Sequence, residues 1–159
     1  APPTTPPRGA FLSLGQRSTG QGLDLVFMKG EPERDHRRTD VSKGGEHQFL
    51  YFAVADAFLR DPKGPVQIEV EYLDQGTGPF GLDYDSTDES APIKGAFKSA
   101  PRADRTNTGD WNTHVFVLTD ARLANREHQG ADFRLVAGKD DLRVRRVEVR
   151  AVGGQRSLG

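Results

Sequence analysis

A regular alternation of apolar and polar residues is the strongest constraint that this sequence places on its fold. In residues 66–72, VQIEVEY, valine, isoleucine and tyrosine alternate with glutamine and glutamate. A period of two is typical of a β-strand with one face buried and the other in water. Residues 74–79 then combine two glycines, a proline and an aspartate, and the alternation resumes over residues 80–85. This pattern predicts a β-hairpin whose second strand carries Asp83 and Asp85 on its polar face.

Similar strand patterns recur along most of the chain, and little helix is expected. Further strands are predicted at residues 20–29, 48–54, 93–97, 111–119, 133–137 and 142–152. Asp120 stands where it could cap a single helical turn over residues 121–126. About eight short strands separated by turn signals predict an all-β fold, an antiparallel β-sandwich of jelly-roll type.

The last predicted strand changes parity partway along its length. Leu142 and Val144 occupy even positions, whereas Val147 and Val149 occupy odd ones. A regular strand would bury one pair and expose the other, because successive side chains point to opposite faces. One additional residue restores the register, so the sequence predicts a β-bulge at Arg145-Arg146.

The chain has the length of a single domain and begins with a spacer-like segment. Its 159 residues suffice for one hydrophobic core without a metal or a disulfide. Residues 1–7 contain four prolines and two threonines, a composition typical of an extended linker. We therefore expect a Pro/Thr-rich linker and lead-in over residues 1–20, a β-sandwich domain over residues 21–152 and a flexible tail over residues 153–159.

The charge balance argues against a nucleic acid or a membrane as a partner. The sequence has 22 basic and 23 acidic side chains, mixed along its length, so no basic patch stands out. No apolar run approaches the ~20 residues that span a bilayer. The first residues lack the features of a signal peptide, so we expect a mature chain or one excised from a longer protein. The absence of cysteine excludes a disulfide framework and thiolate chemistry.

Catalysis in this chain would have to rely on paired carboxylates. Glycoside hydrolysis needs two carboxyl groups about 5 to 10 Å apart, and residues i and i+2 of one strand face are roughly 7 Å apart. For Glu69 and Glu71 we favour ordinary solvated positions on a strand face. Asp83 and Asp85 are the stronger pair. There is no Gly-x-Ser-x-Gly motif and no cysteine nucleophile, and we predict no catalytic residue.

Loop carboxylates suggest a structural calcium ion. The four histidines have no metal-ligand spacing, which argues against zinc. Calcium prefers carboxylate and carbonyl oxygens from irregular loops, although no EF-hand loop occurs. The expected donors are Asp140 and Asp141 before the last strand, and Asp24 and Glu31 near the first.

Six residues are candidates for contact with a sugar. Such a site needs an aromatic ring for stacking and a few fixed polar groups that select hydroxyls. Trp111, the only tryptophan, either stacks on a ligand or closes one end of the core, and Tyr84 is similarly ambiguous. Asp132 and Arg134 either pair with each other or bind a ligand. The candidate ligand-binding residues are Trp111, Tyr84, Asp85, Asn125, Asp132 and Arg134.

Three segments of the chain resemble a known kind of module. YLDQGTGPFGLDYDS at residues 72–86, the run from residue 110 to residue 135 and DLRVRRVEVR at residues 141–150 are similar to a β-sandwich carbohydrate-binding module of secreted bacterial polysaccharide-degrading enzymes. The resemblance implies a jelly-roll fold, often a structural calcium, and no catalysis by the module itself.

Together these features predict a non-catalytic carbohydrate-binding module. It would hold an attached glycosidase or polysaccharide lyase close to its polymer, outside the cell. Its expected partners are a polysaccharide or oligosaccharide and the attached catalytic domain, with no nucleic acid and no membrane. The alternatives are an accessory domain that binds no glycan and, less favoured, a glycan-cleaving enzyme with Asp83 and Asp85 as acid and base.

Overall fold

The computed structural model describes residues 9–14, 19–27, 31–32, 35–56, 59, 61–62 and 64–151. These residues form twelve β-strands: β1 (Gly9–Ser13), β2 (Thr19–Gln21), β3 (Leu23–Phe27), β4 (Glu31–Pro32), β5 (Arg37–Arg38), β6 (Phe49–Val54), β7 (Val66–Leu73), β8 (Gly81–Tyr84), β9 (Lys98–Ser99), β10 (Trp111–Leu118), β11 (Phe133–Val136) and β12 (Arg143–Ala151). Three short 3-10 helices lie at Val41–Lys43, Gly45–Gln48 and His128–Gly130.

The strands form two sheets, and all of their pairings are antiparallel. The seven-stranded sheet has the order β10-β7-β12-β1-β2, and β5 joins it by pairing with both β12 and β4. The five-stranded sheet has the order β3-β6-β11-β8-β9. The hydrophobic core lies between the inner faces of these two sheets, as in other sandwiches.

Eight of the strands follow jelly-roll topology. In one sheet β1, β12, β7 and β10 are neighbours, and in the other β6, β11, β8 and β9 are neighbours. Along the chain, β6 to β8 alternate between the sheets and β10 to β12 do the same, as two interleaved Greek keys require. The predicted fold class, an all-β antiparallel sandwich of jelly-roll type, is confirmed.

The predicted hairpin over residues 66–85 is wrong. Its first strand, β7, belongs to the seven-stranded sheet, whereas its second strand, β8, belongs to the five-stranded sheet. The intervening loop therefore passes from one sheet to the other at the edge of the core, and does not turn back within one sheet. Alternation identifies the buried faces of β7 and β8 correctly, but two strands that face the same core from opposite sheets show the same alternation. Asp85, expected on the polar face of the second strand, lies beyond the end of β8 and is fully buried.

Asp74, at the start of this crossing, anchors a second loop. Its fully buried carboxylate accepts hydrogen bonds from the backbone amides of Thr106, Asn107 and Thr108 at 2.7, 3.1 and 3.2 Å. The hydroxyls of Thr106 and Thr108 each donate to it at 2.8 Å. Burial alone would raise the pKa of Asp74, but these donors outweigh burial and hold its pKa far below the usual range.

Aromatic and aliphatic side chains fill the space between the sheets. Phe52 and Phe133 stack with their ring centroids 5.0 Å apart, and Tyr72 contacts Phe80 at 4.6 Å. Each fully buried side chain of this size contributes about 1.5–3 kcal/mol through removal from water. The largest fully buried residues are Phe52, Phe80, Phe133, Leu14, Leu23, Leu50, Ile68, Leu82, Leu118, Leu123, Leu135 and Leu142.

The predicted bulge in β12 is confirmed. Val144 pairs with Tyr72 and Arg146 pairs with the adjacent Glu71, so Arg145 is the additional residue. Val144 and Val147 are both fully buried as a result. The parity break in the sequence therefore locates a real irregularity of the ladder.

Other strand predictions hold with shifted ends. The patterns at residues 48–54, 111–119 and 133–137 correspond to β6, β10 and β11. The pattern at residues 20–29 corresponds to two strands, β2 and β3, which lie in different sheets and meet at Gly22, whose φ is 76°. Glycine accommodates this left-handed conformation without strain.

Two local predictions are wrong. The predicted strand at residues 93–97 is a run of turns, and the strand begins at Lys98. The predicted helical turn at residues 121–126 is irregular, with Leu123 and Asn125 at φ 52° and 63°. Hydrogen bonds to buried carboxylates determine this backbone, as described below, and they override the weak capping signal of Asp120.

The sandwich also includes residues that sequence patterns assign to the lead-in. β1 pairs with β12 over five positions, from Gly9 opposite Arg150 to Ser13 opposite Arg146. Ala10, Leu12 and Leu14 are buried in the core. Among the described residues, no helix is long and apolar enough to span a bilayer.

Candidate functional site

The outer face of the seven-stranded sheet carries a network of arginine and glutamate side chains. Because β7 and β12 direct their valines and isoleucine inward, their charged residues project outward. We call this surface the arginine–glutamate face. It consists of Glu69, Glu71, Thr113, Arg145, Arg146, Glu148 and Arg150.

Every arginine of the arginine–glutamate face is held by a carboxylate. Arg150 contacts Glu69 at 2.8 Å and Glu148 at 3.0 Å, and Arg146 contacts Glu148 at 2.8 Å. Such pairs add little stability where they are exposed, but they fix the orientation of the planar groups. The side chains stay about one fifth to two fifths exposed, so they remain accessible to a ligand.

Glu71 and Arg145 form a two-point contact next to Trp111. Arg145 Nε lies 3.0 Å from Glu71 Oε1, and its Nη2 donates to Oε2 at 3.1 Å. The guanidinium carbon of Arg145 lies 4.4 Å from the centroid of the Trp111 ring, a cation–π contact. His36 approaches the same indole edge-on at 5.4 Å. The bulged position of Arg145 in β12 thus places its side chain against the tryptophan.

Trp111 lies on the outer face of the sheet and not in the core. It pairs with Leu73 at the first position of β10 and is partly exposed. The same strand directs Phe116 and Leu118 into the core, so Trp111 and Thr113 share the outward side. Of the two interpretations that the sequence left open, the structure supports the surface position.

A shallow depression of about 80 Å³ lies in the arginine–glutamate face. Glu69, Glu71, Thr113 and Arg146 line it. Sites that enclose a drug-sized ligand usually measure about 300–1,000 Å³, so this depression has room for one substituent of a larger molecule. Its rim begins at Thr113, two residues and roughly 7 Å from Trp111 along β10.

Arg134, another predicted binding residue, lies on the outer face of the opposite sheet. The pair with Asp132, one of the two alternatives left open by the sequence, does not form: Arg134 Nε contacts Asp83 Oδ2 at 2.8 Å, and its Nη1 donates to the hydroxyl of Tyr51 at 2.9 Å. Its guanidinium lies 3.9 Å from the ring centroid of Phe49 and 4.6 Å from that of Phe97. Arg134 Nε and Nη1 and the face of the guanidinium thus all have partners within the protein.

Asp85 and Asp132 are fully buried and organise the loop after β10. Asp85 accepts the backbone amide of Ala124 at 2.8 Å and the Nε of Arg126 at 2.8 Å. Asp132 accepts the amides of Val54 and Asn125 at 2.7 and 2.8 Å. Burial raises the pKa of Asp132 to about 6, although these two amides oppose the shift.

Two further predicted residues also interact within the protein. The Nδ2 of Asn125 donates to the carboxylate of Asp56 at 3.0 Å. Tyr84 is buried, and its hydroxyl donates to Asp120, which also pairs with Lys98 at 2.5 Å. Burial and the neighbouring carboxylate raise the pKa of Tyr84. Of the six predicted ligand-binding residues, only Trp111 thus lies at the arginine–glutamate face.

Sequence reasoning did not identify Glu127 as unusual. Its side chain is 5% exposed, and neither carboxylate oxygen has a hydrogen-bond partner among the described residues. Burial raises the pKa of Glu127 to about 10, against the opposing effect of Arg134. The surrounding residues Arg126 and His128 read as an ordinary polar loop, so the sequence carries no signal for this buried acid.

The predicted calcium ligands have separate positions in the structure. Asp140 accepts the backbone amides of Thr77 and Gly78 at 3.1 and 3.0 Å, and Asp141 accepts the amide of Val41 at 2.8 Å. Asp24 is exposed on β3 of the five-stranded sheet, while the backbone of Glu31 lies on β4 of the other sheet.

Within the described part of the chain, no group of three or more histidine, aspartate or glutamate residues could hold a metal ion. The structural calcium ion stays a prediction.

Comparison with protein-family models found no match to this chain, and comparison with curated proteins found none either. By its fold the protein is an all-β jelly-roll sandwich with a charged outer face on its larger sheet.

Proposed function

We propose that this sandwich is a non-catalytic carbohydrate-binding module and that its binding surface is the arginine–glutamate face with Trp111. The observation that carries the proposal is the fixed array of planar charged groups around a small depression beside a partly exposed indole. In this proposal the module targets an attached, secreted glycosidase or polysaccharide lyase to its polymer.

The chemistry of the surface suits a polyhydroxylated ligand. Guanidinium groups offer several donors in one plane, and carboxylates offer acceptors, so neighbouring hydroxyls can be bound at two points. The ion pairs fix these groups in advance, which lowers the entropy cost of binding. Trp111 adds an apolar edge that contacts the C–H groups of a sugar ring.

The small volume of the depression suits a substituent of a polymer better than a whole free sugar. A depression of about 80 Å³ is too small to enclose a sugar ring but takes a hydroxyl, hydroxymethyl or carboxylate substituent. The remainder of the bound polysaccharide would then lie along β7, β10 and β12. This geometry supports an extended ligand that contacts the module through several residues.

The contacts of the acidic pair support a non-catalytic role. Asp85 is fully buried and bonded to Arg126, and Asp83 is engaged by Arg134. Retaining glycosidases need a free nucleophile and inverting ones need space for a water between two carboxyl groups. Neither requirement fits a pair whose oxygens accept hydrogen bonds from arginine side chains, the Ser99 hydroxyl and backbone amides.

A glycan array tests this proposal directly on the 159-residue chain. We expect binding to at least one polysaccharide, and a loss of about tenfold or more in affinity for Trp111→Ala and for Arg146→Ala, which is about 1.4 kcal/mol. Ile93→Ala is the matched control, because Ile93 is 70% exposed and lies in the turns of residues 92–97, outside β7, β10 and β12. Absence of signal on every glycan would overturn the proposal.

An accessory domain that binds no glycan is the second candidate. The exposed valines of β10, Val115 at 39% and Val117 at 55%, favour a protein contact at that edge. The glycan array separates the two candidates. The isolated chain gives no signal on the array if it only supports an attached enzyme.

A further inference from the structure

Strand β10 is a long free edge of the seven-stranded sheet. Over eight residues, from Trp111 opposite Leu73 to Leu118 opposite Val66, it pairs with β7 without any shift of register. Among the described residues, no strand pairs with its other side. Every second backbone N–H and C=O of an edge strand points away from the sheet, so β10 offers a row of unpaired ladder groups.

The other sheet edges have features that block further pairing, whereas β10 has none. β2 is three residues long, and β4 and β9 are only two residues each. β3 carries a register shift between Leu25 and Phe27 and the exposed Asp24. Short strands, irregular registers and exposed charges are the common means by which proteins protect edges.

The composition of β10 adds to this contrast. Its sequence, WNTHVFVL, contains no acidic residue, no lysine or arginine, no proline and no glycine. Val115 and Val117 point outward and are two of the three large hydrophobic residues that are exposed in the described structure. Branched and aromatic residues are those that favour strand pairing. This edge is therefore suited to accept another strand.

We propose that β10 pairs antiparallel with β10 of a second copy of this chain, about a two-fold axis near Val115. This pairing would join the two seven-stranded sheets into one continuous sheet. An isologous interface places the same patch on both sides, so the strand must be complementary to itself. With the axis at Val115, that residue faces its own copy and Thr113 faces Val117, which gives β-branched pairs across the interface.

Charge considerations favour a second copy over a charged partner segment. β10 itself brings no like charges into contact across the axis. Just outside the strand, Asp110 precedes β10 and Asp120 follows it, and the proposed axis places Asp110 opposite Asp120 of the second copy, where Lys98 already pairs with Asp120. Within the sheet, the nearest acids, Glu69 and Glu71, lie one strand further inside each copy, about three strand spacings or roughly 14 Å apart across the dimer, which exceeds the Debye length at physiological salt. Each also has an arginine partner, Arg150 and Arg145 respectively.

Sedimentation of the purified chain tests the proposal, which does not depend on sugar binding. We expect a concentration-dependent monomer–dimer equilibrium for the native chain. Val115→Lys should shift this equilibrium to monomer, because two lysines would meet at the axis. Ile93→Lys makes the same chemical change at a more exposed apolar residue outside β10 and should leave the dimer intact. A native chain that stays monomeric at every concentration overturns the proposal.

The absence of cysteine allows a second test of the same interface. Directly opposed residues of paired strands have Cα atoms about 4.5–5.5 Å apart, within the range of a disulfide. Val115→Cys should therefore form a dimer under mild oxidation, whereas Ile93→Cys should not at the same concentration. Equal cross-linking of both variants would mean random collision and would contradict the proposed axis. Binding of an added extended peptide without self-association would also overturn it.

Discussion

Buried acids of this sandwich differ in the donors that surround them. Asp74 receives hydroxyl and amide donors from residues 106–108, and Asp85 receives an arginine. Glu127 is equally removed from water, but its oxygens have no partner within the described structure. A buried carboxyl group therefore stabilises one loop as an anion at Asp74 and remains a neutral acid at Glu127, because the local donors decide which protonation state is favoured.

Replacing Asp74 by alanine should destabilise the protein by roughly 2–4 kcal/mol. The substitution would leave the amides of Thr106 and Thr108 without their acceptor, and unsatisfied buried donors are costly. Urea denaturation of Asp74→Ala and of the native chain measures this difference. Asp104→Ala serves as the control, since Asp104 is an exposed acid shortly before the same loop. A similar midpoint for both variants would contradict the anchoring role of Asp74.

Stability should fall as pH rises because of Glu127. Its pKa is raised to about 10 in the folded state, from a reference value of 4.5. Between these values the unfolded chain releases the proton while the folded protein retains it, so the free energy of unfolding decreases with pH. The contribution of Glu127 to the free energy of unfolding is largest below about pH 4.5. At pH 8–9 this free energy is lower by on the order of several kcal/mol.

Glu127→Gln should remove this slope because glutamine stays neutral at every pH. The variant should be more stable than the native chain at pH 9 and close to it at pH 5, as measured by urea unfolding. Asp132, whose pKa is raised to about 6, remains in both proteins and cancels in the comparison. Glu89→Gln, at an exposed position, controls for the loss of one charge. Parallel pH profiles for Glu127→Gln and the native chain would contradict this account.

At the scale of elements, local periodicity identified strands well and their partners poorly. The alternation in β7 and the parity break in β12 depend only on which side chains face the core, and both were predicted. The predicted hairpin failed because sheet membership depends on residues far along the chain. The pair Arg150 and Glu69, for example, joins positions 81 residues apart.

Strand β1 should prove essential, although sequence patterns assigned it to the lead-in. A chain beginning at Gly9 keeps the pairing with β12, whereas a chain beginning at residue 15 lacks the buried Ala10, Leu12 and Leu14. Loss of two buried leucines costs on the order of 5 kcal/mol or more, which is comparable with the whole stability of a domain. Thermal unfolding followed by circular dichroism measures the effect.

The chain that begins at Gly9 is the control for this truncation. Both shortened chains lack residues 1–8, so they differ only in residues 9–14, which are β1 and Leu14. Equal melting temperatures for the two would show that β1 contributes nothing to the sandwich.

At the scale of the whole molecule, the two proposals together predict bivalent binding. A two-fold axis perpendicular to a continuous sheet would place both arginine–glutamate faces on the same side. Two linked sites bind an immobilised polymer with an avidity that can exceed the single-site affinity by about 10²-fold or more. Val115→Lys should therefore weaken retention on immobilised polymer far more than it changes affinity for a short soluble oligosaccharide, for which only the single-site effect of a lysine opposite Glu69 is expected.

Surface plasmon resonance with polymer on the chip, and calorimetry with the oligosaccharide, measure these two quantities. Ile93→Lys should match the native chain in both. Equal retention of Val115→Lys and the native chain would show that the module binds as a monomer.

The sequence by itself determined the all-β class of fold, the buried face of most strands, the bulge at Arg145 and the presence of Trp111 at the end of a long strand. These are local properties, because side-chain direction repeats every two residues along a strand. Only the tertiary structure decided that Arg134 pairs with Asp83, that Asp85 and Asp132 are buried, and that Arg145 lies against Trp111. Partners and burial depend on which distant strands become neighbours, and that choice is made when the two sheets close around their common core.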